Sequence, residues 1–105
     1  MNLNNFTIKS QEAVQQAQTI AQSNEQQSLE CAHLLKGMFE VDEHVLPFLF
    51  AKLGVNVDVI KQALDRIVTS YPKVSGGNIY LSRNANDALT KADKYKKDFK
   101  DEYVS

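Results

Sequence analysis

Two side chains capable of chemistry stand close together in the stretch SLECAHLLKGMFE. They are Cys31 and His33, and His44 follows a little further on. A thiolate beside an imidazole can act as nucleophile and base. The same two groups are also zinc ligands. The spacing speaks against both uses. Residues two apart on a helix point to nearly opposite sides, whereas helical ligand pairs come four apart. No second cysteine or well-placed acid completes a site around them. The reading that follows is a buried thiol beside a hydrogen-bonded histidine. A small thiol or metal enzyme using Cys31 with His33 or His44 is the remote alternative.

The elements that must position these residues read as helices almost throughout. In the first, Ser10, Ala13, Val14, Ala17, Ile20 and Ala21 share one face, glutamines fill the other, and Thr7 is placed to cap the start. The second begins near Glu30, an acid where the helix dipole favours one, and its apolar face is Cys31, Leu34, Leu35, Met38 and Phe39. The third, VLPFLFAKLG, is apolar nearly all round and is expected at the centre of the fold. Pro47 suits its first turn and Gly54 its left-handed end. Asn56 can cap a fourth helix facing inward through Ile60, Ala63, Leu64, Ile67 and Tyr71. YPKVSGGN is a connection by its Pro, Gly and Ser content. Ser82 then caps a fifth helix with Ala85, Ala88, Leu89, Ala92, Tyr95 and Phe99 on one face. NIYLS can form a short extended piece.

Composition narrows the function classes. A chain of 105 residues is one domain or part of one. A net charge of -1 lacks the basic excess of a nucleic-acid binder. KADKYKKDFKDE mixes five lysines with four acids, which reads as a solvated helix surface. No apolar run approaches membrane-spanning length. The start, MNLNNFTIKS, lacks the basic and apolar regions of a signal peptide. With a single cysteine, which excludes an internal disulfide, these features point to the cytoplasm.

A shift of 75 positions lays the first helix over the fifth. Phe6-Thr7 falls on Leu81-Ser82, Glu12-Ala13-Val14 on Asp87-Ala88-Leu89, Ala17 on Ala92 and Ile20 on Tyr95. Ser28-Leu29 falls on Tyr103-Val104. Each pair keeps a capping hydroxyl or a core-facing size class, as a duplicated helical unit would. On this reading repeat one spans about 6–70, a linker about 71–80, and the start of repeat two 81–105, where the second copy is expected to be cut short.

These residues carry a resemblance. NNFTIKSQEAVQQAQTIAQSNEQQSLECAHLLKGMFE resembles the first repeat of the Clp N-terminal domain family. The marks are Thr7 as helix cap, Ala13 with Ala17, and His33-Leu34-Leu35 opening the second helix. LGVN, with Gly54, looks like the family's turn between helices three and four. YPKVSGGNIYLSRNANDALTKA resembles the join between repeats in the disaggregase branch, and DEYVS the segment before the second His-Leu-Leu. The likeness covers essentially the whole chain. Cys31 departs from it, at a position where relatives often carry Pro or a polar residue.

The resemblance implies an all-α, pseudo-twofold fold of two four-helix repeats, with the second truncated. It implies a domain mounted on a homohexameric ATPase ring that binds unfolded or aggregated client proteins, alongside a co-chaperone of the DnaK type. ATP and Mg would belong to the ATPase domains, since SGGN lacks the Lys and Ser or Thr of a phosphate loop. For this chain it implies no catalysis, cofactor, metal, nucleic acid or membrane, and a monomer or weak association. An adaptor-docking domain of a protease-coupled Clp unfoldase is the alternative with the same fold. Thr7 and Asp101 match residues of the family's substrate-binding surface, beside the plainer reading of Thr7 as a cap worth about 1 kcal/mol. Leu89 and Tyr95 lie on the helix-five stripe, where core packing competes with partial exposure in the family's groove between repeats. Such a groove would take extended apolar chain with little sequence preference, because apolar burial is non-directional.

Overall fold

The computed structural model describes residues 7–74 and 76–103, with side chains described up to Tyr95 apart from the masked position 75. Among them the chain forms five α-helices and two very short strands: α1 (Ile8–Ser23), β1 (Ser28–Leu29), α2 (Cys31–Val41), α3 (Val45–Lys52), α4 (Val57–Ser70), β2 (Tyr80–Leu81) and α5 (Arg83–Tyr103). The architecture is all-helical, as expected from the spacing of apolar residues.

Local side chains set the helix ends. Thr7 Oγ1 accepts from Ser10 N–H at 3.1 Å and caps α1. Asn56 Oδ1 accepts from the N–H groups of Asp58 and Val59 and caps α4. Ser82 Oγ accepts from Ala85 N–H at 3.0 Å and caps α5. At the end of α3, Gly54 has φ +74°, a left-handed conformation that glycine adopts without strain. Gly54 N–H bonds to Ala51 O and Val55 N–H to Phe50 O, so the two bonds of a Schellman motif close the helix.

The helices α1 and α2 form the closest-packed pair. Ala13 and Ala17 are buried on α1, and Gly37 of α2 lies against them. A Cβ at Gly37 would run into the Ala13 carbonyl oxygen and crowd Ala17 N. Small residues on both sides therefore let the two backbones approach. From this pair α2 presents residues to two hydrophobic clusters. Leu34 joins Val14, Ala17, Ala21, Leu29 and Ala85 on one side. Ala32 and Phe39 join Leu64 and Val68 on the other.

This arrangement corrects the expectation for α3. The central helix is α2, whereas α3 has no fully buried residue. Only Leu46 and Phe50 of α3 pack against the second cluster. Val45 and Phe48 are each 59% exposed. The physical reason is geometric: a helix of 8 residues laid along one side against α2 and α4 covers only that side, and an all-round apolar composition supplies nothing to cover the other. On α4, Leu64 is buried as expected, but Val68 is buried where Ile67 was expected, and Ile67 is exposed.

The strands pair in parallel, Ser28 with Tyr80 and Leu29 with Leu81. NIYLS thus supplies an extended piece at Tyr80–Leu81, and its partner lies between α1 and α2. Leu29 is fully buried there. This pairing sets where α5 begins. Ala85 enters the first cluster, and Leu89 packs partly against it. Beyond that point the α5 stripe leaves the core: Ala88, Ala92 and Tyr95 are exposed. Phe99 lies outside the described side chains.

Candidate functional site

A groove of about 350 Å³ runs between α1, α2 and α5. Its lining is mostly apolar and includes Val14, Leu34, Met38, Leu46 and Leu89, with Lys9 and Asp42 as its charged members. Each wall follows from local sequence. Ala13 and Val14 reach the groove because Thr7 starts α1 in that phase. Leu34 and Met38 share one face of α2, four residues apart. Leu89 and Ala92 arrive because β2 and Ser82 fix the start of α5. Met38, expected inside the core, is 41% exposed in this groove. A flexible, polarisable side chain in such a position can adapt to ligands of different shape.

Asp42 lines the groove where α2 gives way to α3. Its carboxylate accepts from the N–H groups of Val45, His44 and Leu46, at 2.9, 3.1 and 3.2 Å. These bonds, Val45's first, hold its carboxyl below the ordinary range despite some opposing desolvation, with a smaller contribution from Lys9. Asp42 therefore fixes the entry to α3.

The candidate residues fall into three groups. Leu89 lines the groove. Thr7 is exposed at the start of α1, one turn from the lining residue Ser10, to whose hydroxyl it donates at 3.0 Å. Tyr95 is 65% exposed and is not a lining residue. The side chain of Asp101 lies outside the described residues. Of the motif residues, His33 and Leu34 are buried, Leu35 packs partly against the second cluster, and Gly54 ends α3 at the surface.

Cys31 and His33 separate. The thiol is exposed, which corrects the expectation of a buried one. It occupies the first position of α2, where the side chain points away from the packed face. His33 is 0% exposed and hydrogen-bonded at both nitrogens, as expected. Its Nδ1 accepts from Glu30 N–H at 2.9 Å, and its Nε2 lies 2.7 Å from Gln26 Oε1. An acceptor Nδ1 carries no proton, so Nε2–H is the donor to Gln26. The amide nitrogen of Gln26 then donates to Val68 O at 2.6 Å and, more weakly, toward Tyr71 O at 3.5 Å. Burial lowers the His33 pKa, more than the nearby Glu30 carboxylate raises it, with Lys36 adding to the lowering. No group of three or more potential metal ligands occurs among the described residues. His33 cannot serve as a base while both ring nitrogens are committed. Gln26 and Gly37 were not singled out by the sequence reading. Polarity hid the first, and an ordinary helical position hid the second.

The profile of the Clp repeat (R) N-terminal domain matches residues 5–105. The chain belongs to the Clp N-terminal domain family. It is similar to the chaperone protein ClpB of Bacteroides thetaiotaomicron, 52% identical over 105 residues, which is 100% of this chain and 12% of that protein. It is likewise similar to ClpB of Porphyromonas gingivalis, at 46% identity over the same coverage. The chaperone protein ClpB 2 of a Nostoc species is 37% identical over 99% of this chain and 12% of its own length. This Clp N-terminal domain thus spans about an eighth of its curated relatives. Among its described residues no helix is long and apolar enough to cross a membrane.

Proposed function

We propose that this Clp N-terminal domain binds unfolded or aggregated polypeptide through the α1–α2–α5 groove, as the substrate-binding part of a ClpB-type disaggregase. The observation that carries the reading is an open, mostly apolar groove on a chain closely similar to ClpB chaperones. Burial of apolar area has no directional requirement, so such a groove accepts many sequences. Ordering a flexible client costs entropy, which keeps the affinity low. Leu89 and Met38 supply apolar contact, and Thr7 stands at the α1 end. In this reading the domain does no chemistry. ATP and Mg act in other parts of the longer protein, which works as a homohexamer in the cytoplasm with a DnaK-type partner. The ClpB relatives favour this branch over adaptor docking.

The test is an NMR titration of the chain with an unfolded model protein such as casein. Shifts should map to Val14, Leu34, Met38 and Leu89, and Met38→Asp, at an exposed lining position, should abolish them while leaving the fold intact. Shifts confined to other surfaces, or none at all, overturn the proposal.

A further inference from the structure

One short strip of backbone fastens the chain that leads into α5, beside the packing of Ala85 and Leu89 on the first cluster. In residues 25–29, Glu25 O accepts from Val74 N–H at 2.8 Å, Gln27 O from Tyr80 N–H at 2.8 Å, and Leu29 O from Ser82 N–H at 3.0 Å. The Gln27 side chain donates to Gly76 O, and the Gln26 side chain to Val68 O. The end of α4, the connection after it, β2 and the cap of α5 are thus all fastened to this strip. At its centre Gln26 is buried, and its amide oxygen is held by His33.

We infer that the Glu30–His33–Gln26 chain is a proton-sensitive latch: neutral His33 locks Gln26 onto the end of α4, and protonation releases it. The geometry demands this. A protonated imidazole carries a hydrogen on both nitrogens. Its Nδ1–H would then face the Glu30 N–H, donor against donor, inside a buried site. Relief requires the ring to move, and the ring is what orients the Gln26 amide. Once Gln26 turns, Val68 O and Tyr71 O lose their donor.

The charged and titratable neighbours are few. Glu30 at the start of α2 and Lys36 within it act on His33, and Lys36 is paired with Asp65 of α4 at 2.6 Å. From the end of α4, Tyr71 places its ring 5.3 Å from the imidazole. Burial raises the Tyr71 pKa, with smaller contributions from Glu30 and Cys31, so it stays neutral near pH 7. The connection between α1 and β1 contributes the neutral Gln26. Released, the imidazole titrates at its ordinary 6.5; latched, it binds a proton less readily. The open form therefore takes up protons first as the pH falls. The latch is fully present above about 6.5 and is lost as the pH drops toward the lowered pKa. That a loosened α5 alters the groove rests on the function proposed above.

Amide hydrogen exchange by NMR tests the latch with no client present, so a groove that binds nothing leaves the result readable. Between pH 7.5 and 5, protection at Val74, Tyr80 and Ser82, corrected for intrinsic exchange, should fall. The limit is about tenfold for each pH unit separating latched and free imidazole. His33→Gln supplies an acceptor for Glu30 N–H that does not titrate, and should flatten the dependence. An equal fall in His33→Gln, or none in the unaltered chain, overturns the inference. Imidazole nitrogen shifts provide a second reading on the unaltered chain. They should show the Nε2–H tautomer and a midpoint below 6.5, and the opposite tautomer overturns the latch whether or not the variant folds.

Discussion

Helices α1 and α5 carry the same kind of stripe and meet different fates. Ala13, Val14, Ala17 and Ala21 of α1 are all buried. Among the described residues of the α5 stripe only Ala85 is buried, Leu89 is half covered, and Ala88, Ala92 and Tyr95 are exposed, Ala92 along the groove. Both helices begin on a hydroxyl cap. The difference lies in their neighbours. α1 runs along α2, close enough that only glycine fits at position 37. α5 is tethered at its start by β1–β2 pairing and then departs from the first cluster. Periodicity states which side of a helix is apolar, and the neighbour decides whether that side is covered.

Three sets of substitutions press on this contrast. The largest effect is expected at the α1–α2 seam. Gly37→Leu should cost about 3 kcal/mol or more in urea unfolding, because backbone rather than a movable side chain stands in the way. Ala92→Leu, at the α5 position that the repeat lays over Ala17 of the seam, should stay within about 0.5 kcal/mol, because Ala92 is exposed. Equal costs would dissolve the distinction. Next, Leu29→Ala should lose about 2–5 kcal/mol, since its side chain is fully buried where β1 meets β2. Tyr95→Ala should again be within about 0.5 kcal/mol. The smallest pair is Thr7→Ala and Ser82→Ala, each about 1 kcal/mol at its own helix start. Thermal melts should register Thr7→Ala in the global transition, whereas exchange rates should show Ser82→Ala mainly as fraying of α5. Two identical global shifts would show that α5 is as tightly integrated as α1.

What the sequence made legible was short in range. Thr7, Asn56, Ser82 and Gly54 act on backbone groups within a few residues, so their types announce their roles. The α1 face follows from a regular period of small residues, and the family resemblance rested on the same local marks. What stayed hidden depends on distant chain. Cys31 and Met38 carry apolar side chains on an otherwise packed helix, and only the placement of α1, α4 and α5 leaves them exposed. Val68 replaces Ile67 because one position of helical phase changes which residue meets Phe39 and Ala32. α3 offered apolar residues on every side, and such a pattern cannot say how many neighbours are present. Of the candidate site, Leu89 was readable as part of a stripe, whereas the groove's α2 wall required the fold. Gln26 gave no signal, because a buried amide looks like any other glutamine until its three partners are known.

The strip at residues 25–29 bears on the order in which the chain comes together. Its partners lie far along the polypeptide: Gln26 reaches 42 positions to Val68, and Gln27 reaches 49 to Gly76. Helices α1 and α2 are joined by residues 24–30 alone and can find each other early, whereas α5 must wait until a much longer stretch of chain closes. Assembly should therefore proceed from an initial hairpin to a late clasp. Substitutions in α1 and α2 would then slow folding, and those in α5 would chiefly hasten its reversal.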